Sequence, residues 1–153
     1  MHQTRKGKQW YLGMKAQVGV DSRSKLIHSV VANPADATMP PHLLHGEERR
    51  GWGDQAYRGQ RAVLREHAPR AQDFTHQSYP YKDGIDQVER ARNRTKSRVR
   101  SKVEHVFGVM KLKFGFVKVR YCGLDKNARR LLVTCALVNL FLARKRLQCT
   151  MSA

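Results

Sequence analysis

Apolar and polar positions alternate strictly over residues 9–20. Trp10, Leu12, Met14, Ala16, Val18 and Val20 fall on one side, and Gln9, Tyr11, Lys15 and Gln17 on the other. A period of two over that length predicts a strand with one buried face. Residues 21–25 (DSRSK) read as a polar turn, and residues 26–32 (LIHSVVA) as the return strand of a hairpin. Residues 33–48 form a connector carrying Pro34, Pro40 and Pro41. A short strand then reaches Asp54, weakened by Gly51 and Gly53. Residues 58–70 contain a short helix stopped by Pro69, residues 71–75 a brief strand, and residues 76–85 a loop marked by Pro80 and Gly84.

The period then changes. Residues 87–114 predict a long basic helix, residues 115–124 an irregular or extended piece, and residues 127–146 a final helix. The apolar run of residues 131–143 is shorter than the roughly 18 residues of a membrane span, so it reads as a buried helix. Strands first, then a strand–helix alternation, then helices describe an α/β or α+β sheet domain. No repeat or low-complexity tract interrupts it, and residues 1–153 read as one domain.

Charge changes the picture. Thirty lysines and arginines against 12 acids leave the 153-residue chain at +18, with 41% hydrophobic residues to build a core. A folded protein with that surplus is matched to an acidic polymer, nucleic acid before an anionic membrane. Cys122, Cys135 and Cys149 are odd in number and widely spaced with no CxxC pair, which fits a reducing interior and argues against a disulfide framework and a zinc site. His42 and His45 sit in the connector and read as loop residues. Residues 1–8 are polar and basic, unlike a signal peptide.

Within the long helix, one acid stands among the cations between residues 91 and 120, and it is Glu104. At about 100° per residue, Ser97, Arg100, Glu104 and Lys111 share one stripe within about 60°. Val99, Val103, Val106 and Met110 make a separate apolar arc, with Phe107 at its edge and Gly108 near the polar stripe. On the wheel alone, Arg100 and Glu104 make an ordinary surface pair.

Three segments together carry a resemblance. Arg100, Glu104 and Lys111, spaced RxxxExxxxxxK, resemble the end of the YREK signature of insertion-sequence transposases. WGDQAY, with Asp54, resembles the segment bearing the second acid of those enzymes, and residues 9–31 resemble the hairpin before it. With GFVKVRYCGLDKN and the leucine-rich helix after it, nearly the whole chain is similar to DDE transposases of the insertion-sequence-five family.

The resemblance implies a ribonuclease-H-like α/β fold, a mixed sheet flanked by helices. It implies Asp54 and Glu104 as ligands of Mg²⁺ (or Mn²⁺), hard cations that prefer oxygen, with Arg100 and Lys111 beside them in the catalytic set. Arg90, Arg92, Arg94, Lys96, Arg98 and Lys102 would follow the DNA backbone, positioning it without reading sequence. The implied partners are double-stranded DNA (transposon ends and target) and a second copy or an upstream transposase segment. The implied location is the bacterial cytoplasm and nucleoid, with no membrane association.

The sequence departs from the pattern at several points. The strand bearing the family's first aspartate lies upstream of the segment that opens this chain. The expectation is therefore a sheet lacking its first strand, and a truncated chain inactive by itself. Asp21 reads as a turn former and Asp36 as a connector cap, Ser97 stands where the signature has Tyr, and Gln17 where relatives often have His. Besides strand cleavage and transfer, an inactive basic remnant stays open, one that coats DNA or inhibits the full-length enzyme. An RNA-associated basic protein accounts for the charge but not for the Asp54–Glu104 spacing.

Overall fold

The computed structural model describes residues 2–33, 43–53, 61–75 and 87–151. Its elements run β1 (His2–Lys6), β2 (Gln9–Gly13), β3 (Lys15–Val20), β4 (Ile27–Asn33), β5 (Arg50–Gly51), α1 (Arg61–His67), β6 (Gln72–Asp73), α2 (Gln87–Leu112) and α3 (Leu124–Met151). The strands pair as three separate two-stranded ladders among the described residues: β1 with β2, β3 with β4, and β5 with β6.

The alternation over residues 9–20 is present but does not form one strand. It divides at Met14, and each half takes its own partner. β2 pairs antiparallel with β1, a segment whose polar, basic composition gave no strand signal. Gly7, at φ 64°, makes the tight turn between them. β3 pairs antiparallel with β4, Val18 opposite Val30 and Val20 opposite Ile27, with an irregularity at Gly19/Val20. The 21–26 turn is closed by the main chain, Asp21 N–H donating to Leu26 O and Lys25 N–H to Asp21 O, each at 2.9 Å.

The core forms where the β3–β4 hairpin meets the two long helices. Ile27 from β4, Val106, Val109 and Met110 from α2, and Leu131, Cys135 and Val138 from α3 are buried together. Met14, Ala16, Val18 and Val20 pack against them on one side of the hairpin, as the period of two requires. Val106 and Met110 are fully buried, so the apolar arc of α2 faces inward as its spacing predicts. Asn139, inside the apolar stretch of α3, ties that helix to the hairpin: its Oδ1 accepts from Ile27 N–H and its Nδ2 donates to Ile27 O, both at 2.8 Å.

A second, smaller unit is β5–α1–β6. The two short strands are parallel, Arg50 opposite Gln72 and Gly51 opposite Asp73, as a strand–helix–strand passage gives. Leu64 of α1 is buried close over Gly51, and Trp52 stacks on Phe74 with ring centroids 4.5 Å apart. Helix α1 ends before Pro69, which cannot continue it.

Helix α2 ends near Gly115, whose φ of 61° turns the chain out of the helix. Helix α3 begins earlier and ends later than its apolar period indicated, because polar flanks extend a helix without showing in a hydrophobic pattern. It is apolar on more than its inward side: Leu132, Val133, Leu137 and Leu140 remain exposed, although the run predicted a buried helix.

Candidate active site and nucleic-acid face

The site is built on α2. Its core-facing arc fixes the rotation of the helix about its axis, so residues on the far arc must point outward. Ser97, Arg100, Glu104 and Lys111 are all exposed, as one stripe. Arg100 Nη2 lies 3.4 Å from Glu104 Oε1, with the two side chains 44% and 64% exposed. A pair so open to water contributes only tenths of a kcal/mol, about 0.3–0.5. The fold therefore does not need Glu104 where it is. Gly108 lies near the same stripe, and a Cβ added there would meet no atom within 4 Å. The backbone of the helix is open to close approach at that turn.

The cations of α2 divide into two groups. Arg94 and Arg98 are exposed. Lys96 and Lys102 are half-buried and donate to main-chain carbonyls, Lys96 Nζ to Thr75 O at 3.1 Å and Lys102 Nζ to Ser22 O at 2.5 Å. Helical geometry explains the division. Lys96 lies at one edge of the buried arc and Lys102 in line with the buried Val109 a heptad later, so their stems lie along the protein and their ammonium groups find carbonyls. The side chains of Arg90 and Arg92 lie outside the described residues, and so does Asp54.

Asp21 is occupied by its own turn. Its Oδ2 accepts from Ser24 Oγ at 2.6 Å and from Ser24 N–H at 2.7 Å. These bonds, the side-chain one foremost, hold its carboxyl down at about 2. Gln17, on β3, is buried, and its Oε1 meets no donor among the described residues. Asp36 and His42 lie outside the described residues.

The donor set suits a hard cation only in part. Glu104 offers an exposed carboxylate, the ligand type that Mg²⁺ prefers. Among the described residues no group of three or more His, Cys, Asp or Glu side chains gathers to hold a metal ion. Glu104 is thus one ligand that needs others. Sequence reasoning did not foresee the two lysine moorings or the role of Asn139. An asparagine within LVNLF was the available signal for the latter, since a polar side chain in an apolar run must find partners.

These features define a mixed α/β domain with a basic helical face on which Glu104 is the one exposed acid among the described side chains of α2. Residues 1–140 match the family model described as the transposase DDE domain. The match covers most of the 153 residues, and the chain belongs to that family, which acts in DNA transposition. No solved structure matches the chain. Among the described residues no helix is long and apolar enough to cross a membrane.

Proposed function

We propose that the chain acts in metal-dependent cleavage and transfer of DNA strands at insertion-sequence ends, within a ribonuclease-H-like catalytic domain of the insertion-sequence-five type. The observation that carries this reading is the exposed line Arg100–Glu104–Lys111 on a helix whose other side is locked in the core. A carboxylate that the fold does not require, set between cations, suits a place where metal and phosphodiester meet.

Glu104 and Asp54 would hold the divalent cation, with a further acid completing the set. Bound there, the cation would polarise the scissile phosphate and stabilise the leaving oxygen of an in-line displacement. The rest belongs to this chain's side chains. Arg100 precedes Glu104 by about 6 Å along the helix axis, and Lys111 follows it by about 10 Å. The two cations thus stand about 16 Å apart along the axis, too far to share one phosphate or two adjacent ones, so they engage separate, non-adjacent phosphates. Arg100 presents a fork to phosphate oxygens and Lys111 a point charge. Arg94 and Arg98, about 120° and about 160° round the helix from Arg100, would take a separate stretch of DNA backbone.

The test is nicking and strand transfer on transposon-end duplexes with Mg²⁺, beside Glu104→Gln and an EDTA control. Activity lost in both controls, with duplex binding retained, supports the reading. Salt-sensitive DNA binding with no cleavage in any sample would replace it with a binding-only role.

A further inference from the structure

The segment between α2 and α3 is irregular yet held in place. Asn127, on the first turns of α3, is only 1% exposed and makes four hydrogen bonds to main-chain groups of that segment. Its Oδ1 accepts from the N–H groups of Arg120 and Tyr121, and its Nδ2 donates to Tyr121 O at 2.6 Å and to Gly123 O at 2.7 Å. Burying an amide is unfavourable unless all its partners are supplied. Here they are supplied, and the result is a loop with one fixed shape.

Arg130 reinforces it. Its guanidinium donates to Lys118 O at 3.0 Å and to Gly115 O at 3.3 Å, and lies 5.0 Å from the centroid of the Phe116 ring. These contacts set the direction of a cation before any ligand arrives.

What the fixed loop presents is the side chain of Tyr121, about half exposed at 49%. It lines an open cavity of about 430 Å³ together with Lys126, Arg129, Arg130, Val133 and Thr134. The walls are mostly carbon and the rim is cationic. One carboxylate stands near, Asp125, paired at 3.1 Å with Arg129 on the open surface. So exposed a pair is worth little and yields readily to a phosphate. Lys113, Lys118 and Arg120 of the same 113–123 segment are exposed as well.

An aromatic face ringed by cations fits a nucleobase with its flanking phosphates. Duplex DNA keeps its bases stacked inside and would leave the Tyr121 ring idle. We infer that the cavity between the 113–123 segment and the start of α3 binds single-stranded DNA, one unstacked base lying on Tyr121 and the neighbouring phosphates on Lys126, Arg129 and Arg130. This site is separate from the Glu104 stripe, and its occupation needs neither metal nor cleavage.

The experiment is fluorescence anisotropy of a short labelled oligothymidylate and of a duplex of equal length, titrated with the full chain in EDTA at fixed salt. Tyr121→Ala removes the ring but not the main-chain groups that Asn127 holds, so the loop keeps its shape. It is expected to weaken the single strand about tenfold or more and leave the duplex unchanged. Tyr121→Phe restores single-strand affinity, because stacking needs the ring and not the hydroxyl. Lys126→Gln, at an exposed position, weakens the single strand and lowers its salt dependence by about 0.7 in slope. Equal losses on both probes, no loss on either, or equal displacement by polyglutamate would overturn the site and leave a plain cationic surface. The titration runs in EDTA and scores no cleavage, so failure here is distinguishable from failure of the nicking test.

Discussion

Asn139 satisfies both main-chain groups of Ile27, a residue 112 positions earlier in the chain. A side chain of α3 thereby does for the first residue of β4 what a neighbouring strand would do. Asn139→Ala removes both bonds and leaves a buried N–H and C=O without partners. The expected loss is about 2 kcal/mol or more, read as a lower urea midpoint with an unchanged slope.

Burial separates two apolar residues at the end of α2. Met110 is fully buried and Leu112 is 85% exposed. Met110→Ala should destabilise by about 2–5 kcal/mol, through lost burial and the cavity left behind. Leu112→Ala should stay within about 0.5 kcal/mol of the wild type. Thermal unfolding of the two variants side by side checks the placement of the core.

Acid tests the hairpin turn. The carboxyl of Asp21 is lowered from 3.8 to about 2 by its bonds to Ser24. The fold thus favours the ionised form. Its stabilisation is complete above the unfolded value of 3.8 and is lost as pH falls through the folded value near 2. Asp21→Asn has no such titration. The stability difference between the two proteins should therefore shrink as pH falls from about 5 to about 2. Solvent screening at this exposed turn holds the effect to about 1 kcal/mol or less.

The three cysteines should react unequally. Cys135 is buried in the core, and that burial pushes its thiol up to about 11, whereas Cys122 and Cys149 are exposed. Iodoacetamide on the native protein should modify Cys122 and Cys149 and spare Cys135. In denaturant all three should react, as intact-mass spectrometry would show.

The divided cations of α2 give opposite readouts. Arg94→Gln with Arg98→Gln should weaken duplex binding and reduce the slope of log affinity against log salt by about 2, with little change in unfolding temperature. Lys96→Gln with Lys102→Gln removes the bonds to Thr75 and Ser22. That variant should unfold earlier and keep more of the wild-type salt slope.

Where period and burial coincide, the sequence was enough to place an element. The valines and Met110 of α2 repeat at helical spacing because one arc meets the core, and Pro69 ends α1 because it has no N–H to donate. The break at Met14 left no such trace. The alternation continues across it, and what changes is the pairing partner, which hydropathy does not record. β1 was hidden for a related reason: its residues HQTRK have no apolar alternation, and only Gly7 marked a turn. In the candidate site, the outward stripe of Ser97, Arg100, Glu104 and Lys111 was legible, since it is the complement of the apolar arc. The inward turn of Lys96 and Lys102 was not. A lysine reads as a charge in the sequence, and only the neighbouring carbonyls decide where that charge settles.

The two lysine moorings also set the mechanics of α2. Lys96 fastens it to Thr75 and Lys102 to Ser22, on different parts of the chain and from different sides of the helix. A rod held at two such points resists rolling about its own axis. A pull on Arg94 or Arg98 by a bound strand would be passed to the 75 and 22 carbonyls rather than absorbed as rotation. The line from Arg100 to Lys111 would keep its aim under load, like a rail bolted to its bed.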